Sequence, residues 1–115
     1  MPFRRSESAL PLTPIAFEIL LALAEEPRHG YAIMLAVEAR LKGRLPLRTG
    51  TLYRALARLV EDGFLEEIDG APTDDSRRRV YRMSKRGRAI ARAETERLAD
   101  QVTAARSRKL LPGRS

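Results

Sequence analysis

The chain has no cysteine, no tryptophan and a single histidine among its 115 residues. Without thiols there is no disulfide, no thiolate nucleophile and no cysteine-bound zinc, and one histidine leaves the usual zinc sites short of ligands. A run of about 18 apolar residues, the length that spans a bilayer, is also missing. Met1 to Leu12 lacks the apolar core of a signal peptide, so the protein is expected in the cytoplasm and not in a membrane. No internal repeat or low-complexity segment is present. His29 has no carboxylate, serine or second histidine at a recognisable spacing, and no other acid/base pair, nucleophile or metal cluster stands out. These absences predict a protein that is not an enzyme and uses no cofactor.

What is present describes one domain with a modest core. A hydrophobic content of 43% argues against disorder along the whole length. The formal charge of +7 and a pI near 10.7 favour an anionic partner, most commonly nucleic acid for a small basic protein. Charge alone does not separate DNA from RNA or an acidic membrane.

The most informative stretch is Thr49 to Leu65, TGTLYRALARLVEDGFL. Leu52, Leu56, Leu59 and Gly63 recur at three- and four-residue spacing, so on a helix they share one narrow face turned toward a core. Thr49 is placed to cap this helix and Gly63 to end it. Gly50, Arg54, Ala57 and Arg58 fall opposite the leucines, with Thr51 beside them and Tyr53 on the flank. Small residues near the start let a backbone approach, the helix dipole favours phosphate there, and a long arginine reaches base edges. Taken alone, the same pattern also describes an ordinary amphipathic helix with solvated arginines.

The remaining segments set this helix in context. Met1 to Leu12 reads as a flexible arm. Thr13-Pro14 opens a first helix with Ile15, Ile19, Leu20 and Leu23 as its buried stripe, and Pro27 is expected to stop it. A second helix starts near Gly30, with Ile33, Val37 and Leu41 inward and Gly43 closing it. Phe64 to Ile68 and Arg79 to Met83 read as two strands of a β-hairpin whose long tip begins at Asp69-Gly70-Ala71-Pro72. A hairpin after a reading helix is a wing, and Arg77, Arg78 and Arg79 at its returning strand suit phosphate contact. Asp69, Asp74 and Asp75 at the tip would repel DNA if they reached it. Ser84 caps a final helix expected from Lys85 to Leu111, where Pro112 and Gly113 end it. Ala91, Thr95, Leu98, Val102 and Ala105 step by four and three along it, the spacing of a coiled-coil seam, and predict a homodimer. The predicted fold is mainly α: a winged helix-turn-helix of three helices and a two-stranded wing, with a long C-terminal helix. Its parts are an arm (1–12), the winged domain (13–84), the dimerisation helix (85–111) and a tail (112–115).

In order and spacing, three motifs resemble the PadR-type transcriptional regulators: His29-Gly30-Tyr31-Ala32-Ile33; Gly50-Thr51-Leu52-Tyr53-Arg54-Ala55-Leu56-Ala57-Arg58-Leu59 with Gly63; and Arg79-Val80-Tyr81-Arg82-Met83-Ser84 with Gly87. The likeness is to the short members with one C-terminal dimerisation helix. It implies a homodimeric repressor on a palindromic double-stranded DNA operator, with Thr49, Thr51, Tyr53 and Arg54 near the DNA. It also leaves room for a small hydrophobic effector. Some short members stack a flat ligand between tryptophans of paired terminal helices. This chain has no tryptophan, and from Ser84 onward no aromatic residue, so weak planar-ligand binding is expected, with Phe3, Phe17 and Tyr31 as the available stacking partners. The alternative to DNA reading is a winged-helix protein-interaction module whose basic face meets an acidic protein.

Overall fold

The computed structural model describes residues 10–44, 47–68, 75 and 77–112. Most of the expected arm, the start of the hairpin tip and the end of the tail lie outside the described residues. Helix α1 (Pro14–Ala22) opens at Thr13, whose hydroxyl accepts the Ala16 amide at 3.1 Å, with proline in the first turn. It ends at Ala22, short of Pro27, the residue expected to stop it. Two arginine side chains meet the carbonyls there. Arg28 Nε donates to the Ala22 carbonyl at 2.8 Å and Arg88 Nη2 to the Ala24 carbonyl at 2.9 Å, so the freed carbonyls find partners without another turn.

A two-residue strand β1 (Arg28–His29) follows, then α2 (Gly30–Leu41), which ends where Lys42 and Gly43 turn left-handed, with φ of 48° and 78°. Helix α3 (Thr49–Glu61) begins one residue earlier than expected: Thr49 lies inside it, and Arg48 occupies the cap position with no side-chain hydrogen bond. Gly63, at φ 84°, reverses the chain as anticipated. Strands β2 (Leu65–Ile68) and β3 (Val80–Met83) pair antiparallel, with Glu66 opposite Arg82 and Glu67 opposite Tyr81. The sheet has a third member where two were expected, because β1 pairs with the free edge of β3 in the order β1-β3-β2.

Helix α4 (Lys85–Ser107) starts at Ser84, whose hydroxyl accepts the Gly87 amide. It stops before Leu111 because Lys109 turns left-handed at φ 64° and the Leu110 amide returns to the Ala105 carbonyl at 2.9 Å.

The core explains why these elements stay together. Ile19, Leu20 and Leu23 of the α1 region meet Ile33 and Val37 of α2 and all three expected leucines of α3. Phe64, Leu65 and Tyr81 close it from the sheet side, and Ile90 of α4 is fully buried in it. The first turns of α4 therefore belong to the winged domain. Gly87 is obligatory there: a Cβ at this position would overlap the Phe64 carbonyl. Leu10 and Leu12, assigned from sequence to the arm, pack against the same core.

Candidate nucleic-acid interface

Helix α3 divides as its leucine spacing predicts. Leu52, Leu56 and Leu59 are buried, whereas Thr49, Gly50, Arg54 and Arg58 are exposed and Thr51 is half-buried. The missing side chain at Gly50 leaves space that the Arg54 guanidinium uses, with Nη1 3.2 Å from where a Cβ would stand. Arg54 Nη2 reaches the Thr51 hydroxyl at 3.5 Å, a contact too long to fix it. Arg58 sits 3.7 Å from Asp62 on the next turn, an exposed pair worth little. Both arginines can thus extend toward an outside ligand.

Tyr53 does not share that freedom. Its side chain is half-buried, and its hydroxyl is shut off from solvent with no hydrogen-bond partner among the described residues. Burial raises its pKa, and the charges acting on it come from Arg77, Asp75 and Tyr31. The phenol therefore lies where α3, the wing root and the start of α2 converge, and not on the open outer face.

The wing is tied to that junction by its backbone. The Gly30 amide donates to the Arg79 carbonyl at 3.0 Å and the Tyr31 amide to the Arg77 carbonyl at 3.2 Å. Its arginines are all engaged. Asp75 accepts the Arg77 guanidinium through both oxygens, at 3.2 and 3.1 Å, and lies 3.8 Å from Arg78 Nε. These bonds hold the Asp75 carboxyl below its ordinary range. Arg79 pairs with Glu67 at 3.3 Å and Arg82 with Glu66 at 2.8 Å. The sequence placed the arginines on the wing but did not foresee that each would meet a carboxylate.

The seam residues of α4 separate into two groups. Ala91 packs on the chain's own core, and Leu98 and Ala105 are half-buried. Thr95 and Val102 are exposed, Val102 to 42%, as is Leu21 of α1 to 38%. Between α1 and α4 lies an open cavity of about 300 Å³, lined by Phe17, Leu20, Leu21 and Ala24 on the α1 side, by Arg88, Ala91, Arg92, Thr95 and Glu96 on the α4 side, and by Met83. Phe17 reaches this cavity, Tyr31 stands half-exposed elsewhere, and Phe3 lies outside the described residues.

One buried charge escaped the sequence reading altogether. Glu94, 2% exposed, accepts Arg97 Nε at 2.6 Å, Arg97 Nη2 at 3.0 Å and the Leu12 amide at 3.1 Å. The hydrogen bonds from Arg97 lower its pKa despite burial, and the Leu12 amide adds to them. The i,i+3 spacing of Glu94 and Arg97 was visible, but nothing in sequence pointed to Leu12. No described helix is long and apolar enough to cross a membrane.

Comparison with known proteins agrees with this geometry. The family model of the transcriptional regulator PadR-like family matches residues 19–93. An uncharacterized protein of Lysinibacillus sphaericus is 30% identical over 71 residues, which make up 62% of this chain and 65% of that relative, just under two thirds of its length. A transcriptional regulator from Clostridium thermocellum superposes with a TM-score of 0.65 at 24% identity, over 85% of this chain and 90% of its own. A PadR family transcription regulator from Clostridium difficile gives a TM-score of 0.67 at 19% identity, over 83% and 97%. At such identities the two structures speak for a shared winged-helix fold.

Proposed function

This chain belongs to the PadR-like family of transcriptional regulators, and on that premise we propose that it is a dimeric, sequence-specific DNA-binding repressor acting in the cytoplasm. The observation that carries the reading is the outer face of α3. Arg54 and Arg58 stand exposed and loosely held above a rigid leucine-packed base, with the small Gly50 and Thr51 at the entry to the groove. Arg54 reads a base edge, with guanine as the bidentate partner of a guanidinium. Thr49 and Thr51 supply short polar contacts at the helix start, and Arg77, Arg78 and Arg79 hold phosphates from the wing. Tyr53 works from behind, fixing the angle between α3 and the wing.

Two copies associate through α4, with Thr95, Leu98, Val102 and Ala105 forming the seam and Leu21 and Phe17 of α1 extending it. The exposed apolar residues on two adjacent helices support this arrangement. A dimer sets two reading helices on one duplex, and repression is steric exclusion of polymerase. A small hydrophobic effector that entered the cavity beside Phe17 would alter the spacing of the two domains and release the operator.

Selection of bound duplexes from a random pool tests the proposal. Enrichment of a palindrome supports it. Equal affinity for selected and random duplex would favour a protein-interaction module instead.

A further inference from the structure

We propose that Asp75 determines specificity at the wing by occupying the Arg77 and Arg78 guanidiniums as a phosphate would, which holds down binding to DNA of arbitrary sequence. The inference rests on the DNA-reading function proposed above. Both oxygens of Asp75 face Arg77, one accepting Nε and the other Nη2, the forked geometry that guanidinium also offers a phosphate. The Oδ1 atom accepts the Arg77 backbone amide as well, at 3.0 Å, so the carboxylate is fixed where the arginine side chain begins. Arg77 and Arg78 remain 63% and 81% exposed, within reach of a duplex but already engaged.

Charge along the whole wing follows the same plan. Between Leu65 and Met83 the sequence carries five carboxylates, Glu66, Glu67, Asp69, Asp74 and Asp75, against four arginines. The wing is thus formally −1 in a chain of net charge +7, so the positive excess resides outside it. A phosphate must displace a carboxylate to reach a wing arginine. Where α3 is not seated on its own sequence the exchange gains little, because the competing anion is two residues away and always present. Where α3 is seated, the wing is held against the backbone and the exchange goes forward. The wing arginines then add discrimination more than general attraction.

The experiment is a salt titration of full-length wild type, Asp75→Asn and Asp100→Asn against selected and random-sequence duplex, followed by fluorescence anisotropy. Asparagine keeps an oxygen for the Arg77 amide, and circular dichroism checks the fold. Asp100 is exposed on α4, so its change adds the same charge away from the wing. We expect Asp75→Asn to bind random duplex about fivefold more tightly for each wing engaged. Its salt dependence should steepen by about 0.9 for each phosphate gained. The selected duplex should gain less, and Asp100→Asn should resemble wild type. An Asp75→Asn variant that matches Asp100→Asn, or binds both duplexes more weakly than wild type, overturns the role of Asp75 alone. Wild type that fails to distinguish the two duplexes overturns the DNA-reading function, and this inference with it.

Discussion

The Ser84 hydroxyl donates to the Gly63 carbonyl at 2.6 Å and accepts the Gly87 amide at 2.9 Å. One side chain thereby closes the turn after α3 and opens α4, coupling the two helices. Ser84→Ala removes the cap and leaves the Gly63 carbonyl without that partner, and should cost about 1–3 kcal/mol in urea unfolding. Unchanged stability would mean the coupling is incidental.

Gly87→Ala should cost about 3 kcal/mol or fail to fold, since the new methyl overlaps the Phe64 backbone carbonyl. Gly43→Ala meets no atom within 4 Å and pays only for its positive φ, about 1 kcal/mol. Thermal melts of the two variants check the order, and equal losses would contradict the close approach of α4 to the turn after α3.

Glu94 carries a pH dependence whose sign follows from its lowered pKa. A carboxylate depressed in the folded state stabilises fully above its unfolded pKa, near 4.5, and the contribution is lost as pH falls through the folded value. Glu94→Gln should therefore melt lower than wild type at neutral pH, by about 1–3 kcal/mol, and the gap should close on acidification. A gap independent of pH would show that the Arg97 and Leu12 contacts act without the charge.

Much of this was legible in the sequence. The leucine period of α3, the Thr13-Pro14 start of α1, the Ser84 cap and the Gly63 turn are local signals, written in neighbouring residues. What escaped is long-range. Two residues, Arg28 and His29, are too few to show strand periodicity, and they form β1 only because the edge of β3 is there to receive them. The Ala24 carbonyl just past α1 is met by Arg88, far along the chain. Tyr53 reads as a flank residue on a helical wheel, which carries no information about Tyr31 or Arg77. The pairing of Arg77 with Asp75 required a turn whose shape the composition did not specify.

Because Ile90 and Glu94 are buried in the winged domain, a truncation that tests the dimer must leave the first turns of α4 in place. Removing Leu98 to Ser115 leaves both in place and takes away Leu98, Val102 and Ala105. That truncation should sediment as a monomer and lose about 10² to 10⁴-fold in apparent operator affinity. A truncated dimer would move the interface to α1. With the dimer intact, half-sites should be centred roughly 10 base pairs apart, and inserting half a helical turn between them should abolish tight binding.

The central claim, that α3 reads sequence while the wing holds the backbone, is tested most directly by titrating Arg54→Ala and a triple alanine variant of Arg77, Arg78 and Arg79 against selected and random duplex across salt. Arg54→Ala should lose about 1–3 kcal/mol on the selected duplex, relax one position of each half-site and change random binding far less. The wing variant should weaken on both duplexes, more on the selected one, with a salt slope flatter by about 0.9 per phosphate lost. If Arg54→Ala weakens both duplexes equally, or the wing variant keeps the wild-type salt slope, the account is wrong.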